Sequence, residues 1–157
     1  MSCGPDVSQA DRDFVSLMIP HHLAGVKLLD DAAIRTNDVR LRRLVFEMQG
    51  YHHAEIDSLE AIGEAWSVEA GEIYPGSISA EDFVRLSALS DSDYDVLWLT
   101  LMIDHHQGAV EISSQAIPGA RSVLVARIAE STRVTQIREI AVMQELLAQL
   151  MAERLEN

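Results

Sequence analysis

All six histidines of this 157-residue chain occur in adjacent pairs, which are His21-His22, His52-His53 and His105-His106. Two glutamates, Glu55 and Glu139, stand in otherwise apolar helical stripes, each followed by an isoleucine. A carboxylate in an apolar core costs several kcal/mol unless it is paired, hydrogen-bonded or bound to a metal. Imidazoles clustered near such carboxylates therefore predict a transition-metal site inside a helical protein.

Methionine bears on which metal this would be. Four methionines lie within one helical turn of the histidines or of Glu139, namely Met18, Met48, Met102 and Met143. A thioether with imidazole suits Cu(I), whereas imidazole with carboxylate suits Zn(II), Fe(II), Mn(II) or Cu(II). Methionine at helical spacing is also a common filler of apolar cores. Copper, zinc and iron all remain open on the residue types alone.

The candidate site divides into ligands and supporting residues. The predicted metal ligands are His21, His22, His52, Glu55, His105, His106, Glu139, Met18 and Met102. The predicted second layer around them is Asp11, Asp95, Asp104, Met48, Met143 and Gln136. The three aspartates would orient imidazoles by accepting the second ring N–H. No residue is predicted to be catalytic, because no nucleophile motif or phosphate-binding loop is present.

Helical spacing also predicts how the histidines point. His21 continues the apolar stripe of its helix, and His22 lies about 100° further round, at the edge of that stripe. His52 shares a face with Met48 and Glu55, and His53 is expected to face outward. In the alternative interpretation, the histidines and glutamates pair as buried salt bridges and bind no metal.

The chain contains an internal repeat. Residues 17–22 align with residues 101–106 at an offset of 84 positions, and without a gap this offset carries Asp11 onto Asp95 and Glu55 onto Glu139. The pattern indicates a duplicated helical hairpin. His52 falls on Gln136 under the same offset, so one side of any shared site would be richer in imidazole.

Apolar periodicity predicts the elements that position these residues. The first helix should run from about residue 8 to 35, with Ser8 and Asp11 as a capping box, and end before the polar break at 36–38. The second should continue to the connection at 71–76, and a short helix should follow from Ser79 to about Leu89. The third should run from a cap at 90–92 to Pro118, and the fourth almost to the end.

These elements predict an all-α protein, an up-down four-helix bundle of two hairpins with a short extra helix between them. One domain would span residues 1–157, with the first repeat at about 8–70, the connection at about 71–91 and the second repeat at about 92–154. Pro20 should free the carbonyl of Ser16 and kink the first helix. The small residues Gly25 and Gly108 should let helices one and three approach closely.

Composition limits the partners. Acidic residues number 25 and basic residues 12, which gives a formal charge of −13. This charge disfavours nucleic acid and anionic membranes and favours cations. The longest apolar run is shorter than the roughly 20 residues that a transmembrane helix needs, and no signal peptide is recognisable. The lone Cys3 is either a remnant of a lipoprotein attachment site or an ordinary terminal cysteine, and a homo-oligomer stays open.

The repeated Met-Ile-x-His-His motif, with small residues after it and a Glu-Ile in the next helix, resembles family 305 of the domains of unknown function. The resemblance covers about residues 11–62 and 95–147. It implies a ferritin-like four-helix bundle, export to the periplasm or cell exterior with a lipid anchor in the full-length form, and similarity to Met-rich copper-binding periplasmic proteins. Leu28 and Ile112 stand where the family commonly has methionine, so the retained ligands suit a borderline divalent ion well.

The predicted function is transition-metal binding for buffering, storage or resistance, with copper first by resemblance and zinc or iron next by ligand chemistry. One alternative is a metal-free interaction or stress protein with structural His-Glu pairs. Another is a redox metalloenzyme that uses the same ligands, which would need an open coordination position and a substrate pocket.

Overall fold

The computed structural model describes residues 6–156, and no strand occurs in this range. The helices are α1 (Gln9–Arg35), α2 (Val39–Trp66), α3 (Ala80–Ser87), α4 (Asp91–Ala116) and α5 (Val123–Glu156), with a 3₁₀ turn at Ile117–Gly119. The predicted all-α four-helix bundle with a short extra helix is confirmed. None of the described helices is both long enough and apolar enough to cross a membrane. Cys3 lies outside the described residues.

Side-chain caps set the starts of three helices. Ser8 and Asp11 form the predicted capping box at α1, and Ser79 and Asp82 form a second one at α3. The Asp38 carboxylate caps α2 by accepting two backbone N–H groups. Each cap satisfies amides that have no partner within their own helix.

The second helix ends earlier than expected. It was predicted to reach the connection at 71–76, but α2 stops at Trp66, where Ser67 adopts a left-handed conformation with φ of 51°. The N–H of Val68 then bonds back to the carbonyl of Gly63 at 2.9 Å. This hydrogen bond satisfies one of the last carbonyls of α2. Ser67 takes the left-handed position that glycine usually occupies at the end of a helix.

The two hairpins, α1–α2 and α4–α5, pack together mainly through α1 and α4. Two apolar clusters fill the bundle, one around Trp98 and Leu29 and the other around Phe14 and Leu59. On each long helix the predicted histidine and glutamate ligands lie between the segments that enter these two clusters. The site is therefore a polar layer enclosed between two apolar layers.

Pro20 determines where the connection after α2 lies. Proline removes the N–H that would bond the carbonyl of Ser16, four residues earlier. That carbonyl accepts instead from the N–H of Gly71 at 2.8 Å, and the Ser16 hydroxyl donates to the carbonyl of Glu69 at 2.7 Å. The freed carbonyl predicted from the sequence thus anchors the connection to α1.

Asp11 provides a test of how the hairpins are joined. Its carboxylate, fully buried, accepts from the N–H of Ser8 at 2.8 Å and from the N–H groups of Arg121 and Ser122, both at 3.1 Å. Because hydrogen bonds to a buried charge are worth about 1.5–3 kcal/mol each, Asp11→Ala should lower the free energy of unfolding by about 3 kcal/mol. Urea denaturation followed by circular dichroism measures this change.

Asp13→Ala is the matched control, because Asp13 is exposed and bonds only Gln9 of its own helix. It should change the free energy of unfolding by less than about 0.5 kcal/mol. Similar losses in the two variants would contradict the joining role of Asp11.

Candidate metal centre

Five imidazoles form a closed ring of neighbours in the polar layer. The centroid distances around it are 3.7 Å for His21–His105, 5.9 Å for His21–His22, 5.0 Å for His22–His52, 5.7 Å for His52–His106 and 6.3 Å for His105–His106. Every member is at most 1 % exposed. His53 faces outward as predicted. The structure thus brings together all the histidines that were predicted as ligands.

His22 is placed differently from expectation. It was predicted at the edge of the apolar stripe, but it is fully buried. Its Nε2 lies 2.5 Å from a carboxylate oxygen of Glu55 on α2, and this partner draws it into the layer. Two adjacent positions of α1 therefore both contribute to the ring.

Backbone carbonyls fix the orientation of three rings. His21 Nε2 donates to the carbonyl of His105 at 2.9 Å, and His105 Nδ1 donates to the carbonyl of Gly76 at 2.7 Å. His52 Nδ1 donates to the carbonyl of Met48 at 3.0 Å. A carbonyl only accepts, so in each case the named ring nitrogen carries the proton.

The two seam glutamates hold the remaining rings. Glu55 pairs with His22, and Glu139 pairs with His106 at 2.8 Å, which are the helix pairings predicted from the repeat. Thr132 donates to the second oxygen of Glu55 at 2.9 Å. The glutamate side chains are 10 % and 16 % exposed, whereas their histidine partners are 0 % exposed. The carboxylates are therefore the outer part of the layer.

The second nitrogen of every ring has no hydrogen-bond partner among the described residues. These atoms are His21 Nδ1, His22 Nδ1, His52 Nε2, His105 Nε2 and His106 Nδ1. A neutral imidazole whose N–H is engaged presents a lone pair on its other nitrogen, the atom that ligates metals. Leaving such an acceptor buried and unpaired costs about 1–3 kcal/mol. Five buried ring nitrogens without a partner in one layer fit a metal-binding role.

Burial keeps three of the rings neutral. Desolvation, together with the repulsion from a charged His22, lowers the pKa of His21 to about 3. Desolvation also holds the pKa values of His52 and His105 well below the usual range. At neutral pH these imidazoles are in the unprotonated form that binds metals.

Gln136, the repeat counterpart of His52, is also fully buried. Neither its amide oxygen nor its amide nitrogen has a hydrogen-bond partner in the described chain. The layer is therefore asymmetric, with a third imidazole on the side of α2 and an unpaired amide on the side of α5.

The three aspartates predicted to orient imidazoles do not do so. Asp11 binds the start of α5, Asp95 is hydrogen-bonded to Thr36, and Asp104 is exposed. Three of the ring N–H groups are bonded by backbone carbonyls instead. Sequence does not reveal such acceptors, because every residue carries a carbonyl and only the packing decides which one is near.

The predicted methionines are all fully buried. Met18 belongs to the cluster around Phe14, while Met48, Met102 and Met143 belong to the cluster around Trp98. As the side chains stand, no three His, Cys, Asp or Glu residues between positions 6 and 156 are arranged to hold one metal ion. Any ion would thus need thioether ligands or a rotation of the rings.

Close approaches involve both predicted glycines, but only Gly25 admits a neighbouring helix. A Cβ on Gly25 would lie 2.8 Å from His105 Nε2, so this glycine lets α1 approach α4 as expected. A Cβ on Gly108 would lie 2.2 Å from the carbonyl oxygen of Pro75. Gly108 therefore admits the connection between the hairpins rather than a helix. Gly76 in that connection has φ of +74°, a conformation that favours glycine.

Sequence reasoning missed four residues that contact the layer. Thr132 supports Glu55, and Gly76 orients His105. The ring of Tyr74 packs edge-on against His21 at 5.6 Å, and that of Tyr51 packs edge-on against His52 at 6.3 Å. Of these four residues, only Thr132 could have been recognised from the sequence, because it is a polar residue within an apolar stripe.

Comparison with known proteins gives a family and a shared fold. The profile of the family described as "Domain of unknown function (DUF305)" matches residues 5–63 and 64–147. A DUF305 protein of Streptomyces coelicolor, named as a candidate secreted protein, has a TM-score of 0.84 at 23 % identity, over 90 % of this chain and 93 % of that one. A DUF305 fragment from Deinococcus radiodurans has 0.83 at 28 % identity, over 92 % and 99 %.

CopM in its Cu(I)-bound form has the same fold, with a TM-score of 0.77 at 22 % identity over 88 % of this chain and 96 % of that one. At this identity the likeness concerns the fold alone. No curated protein matches the chain.

Gly25→Ala should disturb the centre. The added methyl group collides with His105, whose ring is also held by Gly76, so the variant should lower the free energy of unfolding by about 1–3 kcal/mol. Gly50→Ala is the control, because nothing beyond its own turn of helix lies within 4 Å of its Cβ position, and it should raise stability by about 0.5–1 kcal/mol. Urea denaturation measures both. A stabilised Gly25→Ala would refute the close approach.

The metal-free protein should lose stability as pH falls from about 7.5 to about 5.5. The folded-state pKa of His21 is about 3 against 6.5 for the unfolded chain, so below pH 6.5 the unfolded state binds more protons. For His21 alone the loss at pH 5.5 is about 1.4 kcal/mol. Denaturation in the presence of a chelator measures this slope, and the exposed His53→Ala variant should retain it. A flat profile would contradict burial of neutral imidazoles.

Proposed function

This chain belongs to the DUF305 family, and we propose that its ring of five buried imidazoles binds a transition-metal ion, copper first, for metal buffering, storage or resistance. The observation that carries the proposal is the set of buried ring nitrogens that have no hydrogen-bond partner. Each belongs to a ring whose other nitrogen is already held by a carbonyl or a carboxylate. Ligating histidines are commonly oriented in this way.

The interpretation without a metal explains only part of the layer. Salt bridges account for the pairs of Glu55 with His22 and Glu139 with His106. They do not account for His21, His52 and His105, which have no carboxylate partner within residues 6–156 and which burial keeps neutral. A purely structural core would be more stable with apolar side chains at these positions. Metal binding gives a reason to retain the imidazoles.

Ligand chemistry supports copper as the first metal to test. Buried thioethers lie in the clusters on both sides of the imidazoles, and Cu(I) accepts thioether together with imidazole. Binding through two imidazoles and a thioether, or through rings that turn on loading, is compatible with the side-chain arrangement described above. CopM, which has this fold, has been solved with Cu(I), Cu(II) and Ag bound. Zinc and iron are the next candidates.

The net charge of the chain and the name of one solved relative support metal binding outside the cell. A formal charge of −13 concentrates cations near the protein. The Streptomyces relative is named as a candidate secreted protein. Export would expose such a protein to external metal, where binding without turnover suits buffering or resistance.

Elemental analysis tests the proposal directly. The purified protein is incubated separately with copper, zinc and iron, desalted and analysed by plasma mass spectrometry. We expect retained copper in the wild type, and a loss of affinity of at least about tenfold in His21→Ala and in His105→Ala, which corresponds to about 1.4 kcal/mol. The control His53→Ala, exposed on the same helix as His52, should bind as the wild type does.

Circular dichroism must show the helical content of each variant to be intact. Absence of retained metal under all conditions would overturn the proposal and leave the imidazoles structural. Equal losses in His21→Ala and His53→Ala would overturn the assignment of the ligands.

A further inference from the structure

The side of the bundle between α2 and α5 is joined by long side chains rather than by close helix packing. Tyr51 on α2 lies 3.0 Å, oxygen to oxygen, from Ser131 on α5, and near the helix ends Arg40 binds Glu153 at 2.7 Å. By contrast, α1 packs closely on both α2 and α4, and α4 on α5. A groove therefore runs between α2 and α5.

Of the cavities that open along this groove, two each reach one seam carboxylate. The first, of about 310 Å³, is lined by Tyr51, Glu55 and Ser131 among others. The second, of about 180 Å³, is lined by Glu47, Thr135 and Glu139 among others. The imidazoles beneath are sealed from solvent, but both carboxylates are partly exposed. Glu55 and Glu139 are thus the groups that contact both the groove and the imidazole ring.

Tyr51 separates the two cavities. It lies one helical turn from Glu47 in one direction and one turn from Glu55 in the other. Its ring packs edge-on against His52, with centroids 6.3 Å apart. The hydroxyl contact with Ser131 holds this ring across the groove. Movement of the Tyr51 side chain would therefore uncover the imidazole of His52.

The opposite side of the layer is closed by backbone. The connection between the hairpins lies so near α4 that a Cβ on Gly108 would come within 2.2 Å of the carbonyl oxygen of Pro75. Tyr74 in that connection covers His21. Main chain cannot move aside as one tyrosine ring can, so this side offers no comparable passage.

The charges in the groove favour binding of a cation at the deep carboxylates rather than at the rim. An exposed arginine stands at each cavity, Arg127 at the first and Arg138 at the second, and both weaken the attraction for a cation at the rim. The carboxylates lie deeper, where the lower dielectric strengthens their interaction with a cation. The strongest attraction in each cavity is thus next to the imidazole ring.

We propose that metal ions reach the five imidazoles through the α2–α5 groove. Glu55 or Glu139 first binds the cation, and displacement of Tyr51 then lets the cation reach the imidazoles. This proposal rests on the metal binding proposed above. It assigns the two glutamates to uptake as well as to the orientation of His22 and His106. Tyr51 is assigned as the residue that limits the rate.

Stopped-flow fluorescence tests the route. Metal-free protein is mixed with Cu(II), and quenching of tryptophan reports arrival, because Trp98 lies two helical turns, about 10 Å, from His105 along α4. Tyr51→Ala should accelerate quenching at least about tenfold, since each tenfold corresponds to about 1.4 kcal/mol of barrier. Tyr51→Phe keeps the aromatic ring but loses the hydroxyl contact with Ser131, so it should accelerate quenching by a smaller factor. Tyr74→Ala removes the same ring from the opposite side and should change the rate less than twofold.

The outcomes separate the route from the function. If Tyr74→Ala accelerates loading and Tyr51→Ala does not, or if all variants load at the wild-type rate, the α2–α5 route is overturned while metal binding stands. If the wild type retains no metal after desalting, the proposed function itself fails. Should Tyr51→Ala lose its helical circular dichroism, Tyr51→Phe still decides, because unchanged loading in that variant contradicts the route.

Discussion

The need of each buried imidazole for a hydrogen-bond acceptor is the constraint on which this structure depends. Each ring has an N–H that must be satisfied in the core, and five rings occupy one layer between two apolar clusters. The acceptors come from different parts of the chain. They are the carbonyl of His105 on α4, that of Gly76 in the connection, that of Met48 one turn before His52, and the carboxylates of Glu55 and Glu139. Satisfying them fixes how near α1 and α4 lie and where the connection crosses. The fold around the layer is therefore specified by polar geometry as much as by apolar burial.

The duplicated hairpins do not give equivalent environments. The repeat offset of 84 pairs Gly25 with Ala109 and Ala24 with Gly108, so the two glycines lie one position apart in the repeat. Gly25 leaves room for the imidazole of His105, whereas Gly108 leaves room for the backbone of the connection. The reason is that two hairpins in one chain need only one such connection, and it lies against one side of the bundle. Pro20 leaves the Ser16 carbonyl free to accept from the N–H of Gly71, and this hydrogen bond attaches the connection to α1. On α4 the position that matches Pro20 is occupied by Asp104, which is exposed. Pseudo-symmetry in the helices thus coexists with asymmetry in the loops.

The polar layer sacrifices stability for chemical capability. Burying acceptors without partners costs free energy, and the surrounding clusters of large apolar side chains offset that cost. The same clusters contain the four buried methionines that lie within one helical turn of the predicted ligands. The partly exposed glutamates link this dry interior to the groove between α2 and α5.

The sequence by itself determined the all-α bundle, the repeat, the capping box at Ser8 and the pairing of the histidines with Glu55 and Glu139, because helical periodicity places residues three and four apart on one face. It also separated the five candidate histidine ligands from the outward-facing His53. Tertiary structure alone decided that His22 is buried, that backbone carbonyls replace the three aspartates, and that Ser67 ends α2. These features depend on which backbone atoms meet across helices, and periodicity within one helix carries no information about that distance or direction.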